Sequence, residues 1–209
     1  MNMVKNKFLN CINGFTLAEV LITLVVIGVV AAMTIPNVVY NNKKHEYSSK
    51  FKKFYSTMTQ ASIRAKADGK DWGDWAATHT SSSGNSSIAE FTEEYLFPYI
   101  SVAKKNSSSS FYFADGTYVS ISKGNCLDII FDANGDKKPN QEGRDRLRFL
   151  FCPTSVSYWK NAGTFMPYQP VSLSGREQLR SSCAETPYYC SALLMLDGWE
   201  YKDDYPYRL

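Results

Sequence analysis

The chain has 209 residues, of which 44% are hydrophobic and 14% aromatic, enough for one membrane-associated segment and one ordinary domain. Its 23 lysines and arginines only slightly exceed its 20 aspartates and glutamates, and they form no basic cluster typical of a nucleic-acid-binding protein. The five cysteines include no C-x-x-C pair and there are only two histidines, which argues against zinc and favours an oxidising compartment.

The first element is a basic segment followed by an apolar run. "MNMVKNKFLNCING" carries two lysines, and the run from Val20 to Val39 contains no charged residue. Its length matches a full bilayer crossing, and the basic flank predicts a cytoplasmic N-terminus with the C-terminal domain outside. A secretory signal would have a shorter apolar core with a small-residue cleavage site after it. We therefore predict a membrane helix over residues 15–39.

Glu19 stands at the leading edge of this run, with no lysine or arginine one helical turn away. Carboxylates inside a membrane are costly and usually mark a function with a definite partner. If the chain were cut between Gly14 and Phe15, the new α-amino group of a neighbouring copy could neutralise Glu19. Taken singly, Gly14 could be a turn residue, Pro36 a helix kink, and Glu19 a side chain that reaches the headgroups.

The segment "GFTLAEVLITLVVIGVVAAMTIP" resembles the processing and assembly motif of type IV pilins and type II secretion pseudopilins. The matching features are the short basic leader followed by Gly14, Phe15, Thr16, Leu17, Glu19 and Pro36. The resemblance implies that a prepilin peptidase cuts after Gly14 and methylates the new N-terminus at Phe15. It also implies that Glu19 aligns each subunit in a helical filament.

This resemblance has consequences for partners and location. It implies a homo- or hetero-filament with other pilin or pseudopilin subunits, and an inner-membrane assembly platform. It places a single-pass protein in the inner membrane, with its head in the periplasm or outside the cell. The chain then divides into a leader (1–14), an assembly helix (15–39) and an extracytoplasmic head (40–209).

Beyond Pro36 the pattern becomes that of an amphipathic helix over residues 40–68, with Gly69 as a stop. Lysines lie mostly on its other faces and are interpreted as a solvated surface. Joined to the apolar run, it predicts one helix from Phe15 to about Ala67, roughly 80 Å long. The apolar positions recur at spacings of four and three: Tyr47, Phe51, Phe54, Met58, Ala61 and Ala65.

The head then alternates polar loops with strand patterns. "SSSGNSS" and "KKNSSSS" are predicted to be loops, and "IAEFTEEYLFPYI" between them a short helix ending near Pro98. "FYFADGTYVSIS" has the pattern of a hairpin, and "CLDIIFD" and "RLRFLFC" are two further strands. The prediction is an α+β, pilin-like fold, in which a long N-terminal helix packs on about four antiparallel strands over residues 111–152.

The loop "DANGDKKPNQEGRD" between the last two strands is acidic. Asp132, Asn134 and Asp136 alternate along it, and such oxygen ligands make calcium a candidate cofactor. The EF-hand pattern fails, because Lys137 replaces the glycine at its sixth place and Gly143 stands where the bidentate glutamate belongs. The resemblance to pseudopilins, whose major subunits bind calcium in a head loop, adds a little support for a metal site. A rigid turn capped by Asx side chains is the preferred interpretation, and calcium is the alternative.

Four cysteines lie beyond the leader, an even number, and all are in the head; two of them belong to the disulfide-bearing C-terminal region 153–209. Cys126 and Cys152 lie at the outer ends of two strands, so a bridge is reasonable if those strands pair. Cys183 and Cys190 would then close a short loop, although four cysteines allow three pairings.

The C-terminal tail "LDGWEYKDDYPYRL" is rich in aromatic residues. We expect it to be buried against the sheet. The alternative is a contact surface for neighbouring subunits or a carbohydrate, formed by Trp199, Tyr201, Tyr205 and Tyr207.

No motif of a hydrolase, a P-loop or a dinucleotide-binding site occurs, so the sequence predicts a structural protein rather than an enzyme. The first hypothesis is a pilin-like subunit of a type II secretion pseudopilus or a type IV pilus, serving protein export, adhesion or DNA uptake. The second is a single-pass membrane-anchored extracytoplasmic binding protein, with the tail and the acidic loop as its ligand site. Glu19 separates them, because only a filament requires its carboxylate.

Overall fold

The computed structural model describes residues 14–79 and 84–209. Residues 1–13 of the predicted leader, with Cys11, lie outside these residues, as does the start of the "SSSGNSS" loop. The chain divides into two compact units between Asn41 and Asn42.

The first helix, α1, covers Leu17–Ala67 and contains Pro36 without ending there. It stops in a glycine cap, because Gly69 adopts a positive φ of 77°. The amide of Lys70 donates to the carbonyl of Ala65 at 2.8 Å, which satisfies one of the carbonyls left free at a helix end. The predicted helix and its stop are confirmed.

Within residues 42–209, α1 buries one stripe against a sheet. The buried residues include all six that the helical spacing predicts, from Tyr47 to Ala65. Phe54 is at the centre of the contact, with its ring stacked on Phe131 at 4.1 Å and edge-on to Phe149 at 5.3 Å. Offset and edge-to-face pairs of this kind contribute beyond the area that they bury. The α+β architecture with a helix packed on the sheet is therefore confirmed.

The sheet has six antiparallel strands in the order of the chain. The predicted hairpin turns at Gly116, where φ is +79° and the amide of Phe113 donates to Thr117 O at 3.0 Å. The strands are β1 (Lys104–Ser107), β2 (Ser110–Tyr112), β3 (Tyr118–Lys123), β4 (Leu127–Asp132), β5 (Arg146–Phe151) and β6 (Phe165–Pro167). Phe131 and Phe149 face α1 because alternate residues of a strand share one face.

Two strands lie outside the predicted range. β1 falls inside "KKNSSSS", which was expected to be a loop, and all four of its residues are exposed. As an edge strand it is formed by backbone hydrogen bonds to β2, so its sequence needs no alternating apolar pattern. β6 has only three residues, too few for a period of two to be visible.

Short helices complete the head. α2 (Trp72–Thr78) begins at Asp71, whose side chain accepts a hydrogen bond from the amide of Gly73 at 2.8 Å. α3 (Gly84–Glu90) occupies part of the "SSSGNSS" loop, and one π-helical and one 3-10 turn continue to Tyr99, close to the predicted end. α4 (Arg176–Glu185) and α5 (Cys190–Leu196) follow the sheet.

Candidate functional site

The start of α1 is organised around Thr16 and Glu19. One carboxylate oxygen of Glu19 accepts hydrogen bonds from the Thr16 amide and hydroxyl, both at 2.8 Å. In return the amide of Glu19 donates to the Thr16 hydroxyl at 3.3 Å. This is a capping box, in which residues three apart satisfy each other's backbone donors. Glu19 thus has a local role that the sequence analysis missed, although T-x-x-E is its sequence signature.

The capping box uses only one of the two carboxylate oxygens of Glu19 as a hydrogen-bond acceptor. Both bonds from Thr16 end on Oε2, and among residues 14–79 and 84–209 no donor contacts Oε1. The side chain is exposed, so a second donor can approach it. Gly14, two residues before the cap, has nothing within 4 Å of where a side chain would begin. Gly14 and Phe15, on either side of the predicted cut, are both exposed.

The apolar residues of α1 that follow Glu19 are not covered by the chain. Phe15 is 90% exposed, and the large apolar side chains from Leu17 to Val39 are all exposed as well. Surfaces of this size are covered by a bilayer or by other protein. By length and composition α1 can cross a membrane.

The three predicted calcium ligands are engaged in different interactions. Asp132 is fully buried and pairs with the guanidinium of Arg146 at 2.5 Å. Its second oxygen accepts the amide of Asn134 at 3.1 Å, which is an Asx turn. Asp136 accepts the hydroxyl of Tyr112 at 2.7 Å. Burial raises the pKa of Asp132 and Arg146 opposes that shift.

Asp145 accepts three hydrogen bonds from other residues of the loop, although it was not among the predicted ligands. This buried carboxylate accepts the amides of Asn140 at 2.7 Å and Gln141 at 2.6 Å, and the side-chain amide of Asn134 at 2.8 Å. In the described part of the chain no group of three or more His, Cys, Asp or Glu could hold a metal ion. The arrangement favours the rigid-turn interpretation of the loop.

Two disulfides join cysteines of the head. Cys126 is bonded to Cys152, across the ends of β4 and β5, and Cys183 is bonded to Cys190. The first lies on the sheet face away from α1, in a small apolar cluster with Leu150 and Met166. The second joins α4 to α5. Both bridges are therefore structural cross-links within the head, and none of these four cysteines has a free thiol.

The aromatic tail is packed against the acidic loop. Trp199 and Tyr201 are buried, and the hydroxyl of Tyr201 donates to Arg144 O at 2.8 Å. The hydroxyl of Tyr205 donates to Gly143 O at 2.6 Å. Two tyrosines of the tail are therefore hydrogen-bonded to backbone carbonyls of the loop. Trp199 and Tyr201 are therefore buried and do not form an exposed contact surface.

Two family models match the chain, one at its N-terminal segment and one over most of the remainder. Residues 9–35 match the prokaryotic N-terminal methylation motif, the signal motif of type IV pilins and pseudopilins. Residues 37–209 match a family of unknown function, DUF6613. No curated protein and no solved structure matches the chain. The motif supports a pilin-like or pseudopilin precursor and points to a structural subunit that assembles with other pilin subunits. The chain thus belongs to the DUF6613 family, and it carries this family's domain behind a prokaryotic N-terminal methylation motif.

Proposed function

We propose that the chain is a filament subunit of a type IV pilus or a type II secretion pseudopilus. A prepilin peptidase cuts it after Gly14 and methylates Phe15, and an inner-membrane platform then assembles it through α1. The mature protein is a single-pass inner-membrane protein before assembly, with the head on the extracytoplasmic side. Its filament serves export, adhesion or DNA uptake.

The observation that carries this proposal is the carboxylate of Glu19 at the start of an exposed apolar helix. Thr16 binds only one of its oxygens, so the capping box does not use the full capacity of the carboxylate. Cleavage after Gly14 creates a positive amine at Phe15. In a filament this amine pairs with Glu19 of a neighbouring subunit, because a buried charge needs a partner of opposite sign. The apolar side chains of α1 then pack between subunits rather than against lipid.

The first experiment is the intact mass of the protein isolated from its native membrane. Loss of residues 1–14 with one added methyl group supports processing by a prepilin peptidase. A full-length chain, or a cut at another position, contradicts the proposal and makes the membrane-anchored binding protein the better hypothesis.

The second experiment separates the two roles of Glu19. Glu19→Gln keeps a side chain that can complete the capping box, but it removes the negative charge, whereas Glu19→Val removes both. We expect both variants to be cut after Gly14 and to be lost from filaments. If Glu19→Gln assembles as well as the wild type, then capping is the whole role of Glu19 and the pairing argument is wrong. Glu46→Gln, which removes a carboxylate from the head part of the same helix, is the matched control and leaves assembly unchanged.

A further inference from the structure

A cavity of about 360 Å³ lies in the head between the second half of α1 and the hairpin of β2 and β3. Its apolar lining includes the rings of Phe54, Phe113 and Phe131 and the side chain of Ile100. This volume is within the range of pockets that enclose small ligands. All of its lining belongs to residues 42–209, so the cavity does not depend on how the N-terminal helix assembles.

The ionisable groups around this cavity are mostly basic. Three basic side chains, Lys50, Lys53 and Arg64, line it together with the single carboxylate of Asp115. Lys53 pairs with Asp115 at 3.0 Å, and Lys50 pairs with Glu46 at 2.6 Å. The excess of positive charge favours an anion over a cation or a neutral molecule.

Arg64 is the cation that can receive this anion. Its guanidinium donates to the backbone carbonyls of Tyr99 at 2.9 Å and Gln60 at 3.3 Å, which fix its position. No carboxylate lies within ion-pair distance of it in the described part of the chain. A guanidinium held in place with unused donors is well suited to a carboxylate, which it can bind through two parallel hydrogen bonds.

The cavity is elongated along the helix. Lys53 and Arg64 both line it, and they are separated by about 16 Å along the axis at the rise of an α-helix. A ligand that fills the cavity with its carboxylate on Arg64 therefore extends an apolar part over the phenylalanine rings toward Lys53. We propose that this cavity binds an extended acyl carboxylate, with its charged end on Arg64 and its chain on Phe54, Phe113 and Phe131.

Isoleucine-methyl NMR of the full chain in phosphatidylcholine nanodiscs tests this site, with decanoate as the probe. The methyl signal of Ile100, identified by its loss in Ile100→Val, shifts in a saturable manner. The signals of Ile63, exposed on α1, and Ile130, on the opposite sheet face, do not follow it. Decanol and decyltrimethylammonium, which match the chain length without the negative charge, bind more weakly.

Two variants and a control locate the binding. Arg64→Gln keeps one amide donor but loses the charge and the second of the two parallel hydrogen bonds, and this weakens decanoate binding about tenfold. Thr57→Trp fills the cavity and abolishes the Ile100 shift. Lys52→Gln removes one positive charge from the same helix outside the cavity and leaves the affinity unchanged.

Three outcomes would overturn the proposal. The first is an Ile100 signal that does not respond to decanoate. The second is an equal loss of affinity in Arg64→Gln and Lys52→Gln, a comparison that still stands if Thr57→Trp does not fold. The third is tighter binding of 3-phenylpropanoate than of decanoate, which would assign the cavity to a compact aryl acid.

Discussion

Gly143 is the position where a single added methyl group should reveal how closely the tail packs on the acidic loop. Its φ of +81° is in the left-handed region. A Cβ on Gly143 would lie 2.7 Å from Cδ2 of Tyr207 and 3.3 Å from Sγ of Cys190. The ring of Tyr207 is not free to move away, because it is half-buried and its hydroxyl donates to Cys183 O at 3.2 Å.

The expected cost of Gly143→Ala has two parts. The left-handed conformation costs a residue with a Cβ about 1–2 kcal/mol, and overpacking costs about 1–3 kcal/mol more. We therefore expect the free energy of unfolding to fall by about 2–5 kcal/mol. Gly69→Ala is the matched control, because φ is +77° there but nothing lies within 4 Å of the added Cβ. It should lose only the conformational part.

Urea unfolding followed by tryptophan fluorescence measures this difference. The four tryptophans all lie within residues 42–209, so their emission reports on the head. A double-mutant cycle with Tyr207→Ala isolates the contact, because the added methyl group costs less once the ring is gone. Equal destabilisation by Gly143→Ala and Gly69→Ala would refute the close approach of the tail to the loop.

Two other predictions concern the stability of the head. Arg176 pairs with Asp204 at 2.6 Å and lowers the pKa of the Asp204 carboxyl to about 2. Because this folded pKa lies below the unfolded value of about 3.9, the ion pair contributes fully to the free energy of unfolding above about pH 4. The contribution is lost as the pH falls toward 2. Arg176→Gln should flatten the dependence of stability on pH over that interval, and an unchanged slope would contradict the assignment. For the disulfides, sequence separations of 26 and 7 predict losses of about 3.5 kcal/mol without Cys126–Cys152 and about 2.4 kcal/mol without Cys183–Cys190, from loop entropy. Urea unfolding of the two double-serine variants checks the order, and the reverse order would show that strain or packing outweighs chain entropy.

The calcium hypothesis for the acidic loop depended on a pattern within one segment of the chain. The alternation of Asp132, Asn134 and Asp136 favours convergent ligands only if the three side chains point to one centre. In the fold, Asp132 instead turns to Arg146, on the neighbouring strand β5, and Asp136 turns to Tyr112. Neither partner lies in the loop. The pairing register therefore decides the chemistry of these oxygens, and a pattern within one segment does not contain it.

The sequence by itself determined the features that depend on near neighbours in the chain. The methylation motif is recognised from its resemblance to a known signal, the apolar run from composition, and the buried stripe from Tyr47 to Ala65 from the 3.6-residue period of a helix. The tertiary structure alone decided the edge strand β1, the tail clamped on Gly143 and the cavity beside Arg64. Each of these brings together residues far apart in the chain, and their partners are fixed by how the sheet, the helix and the tail pack.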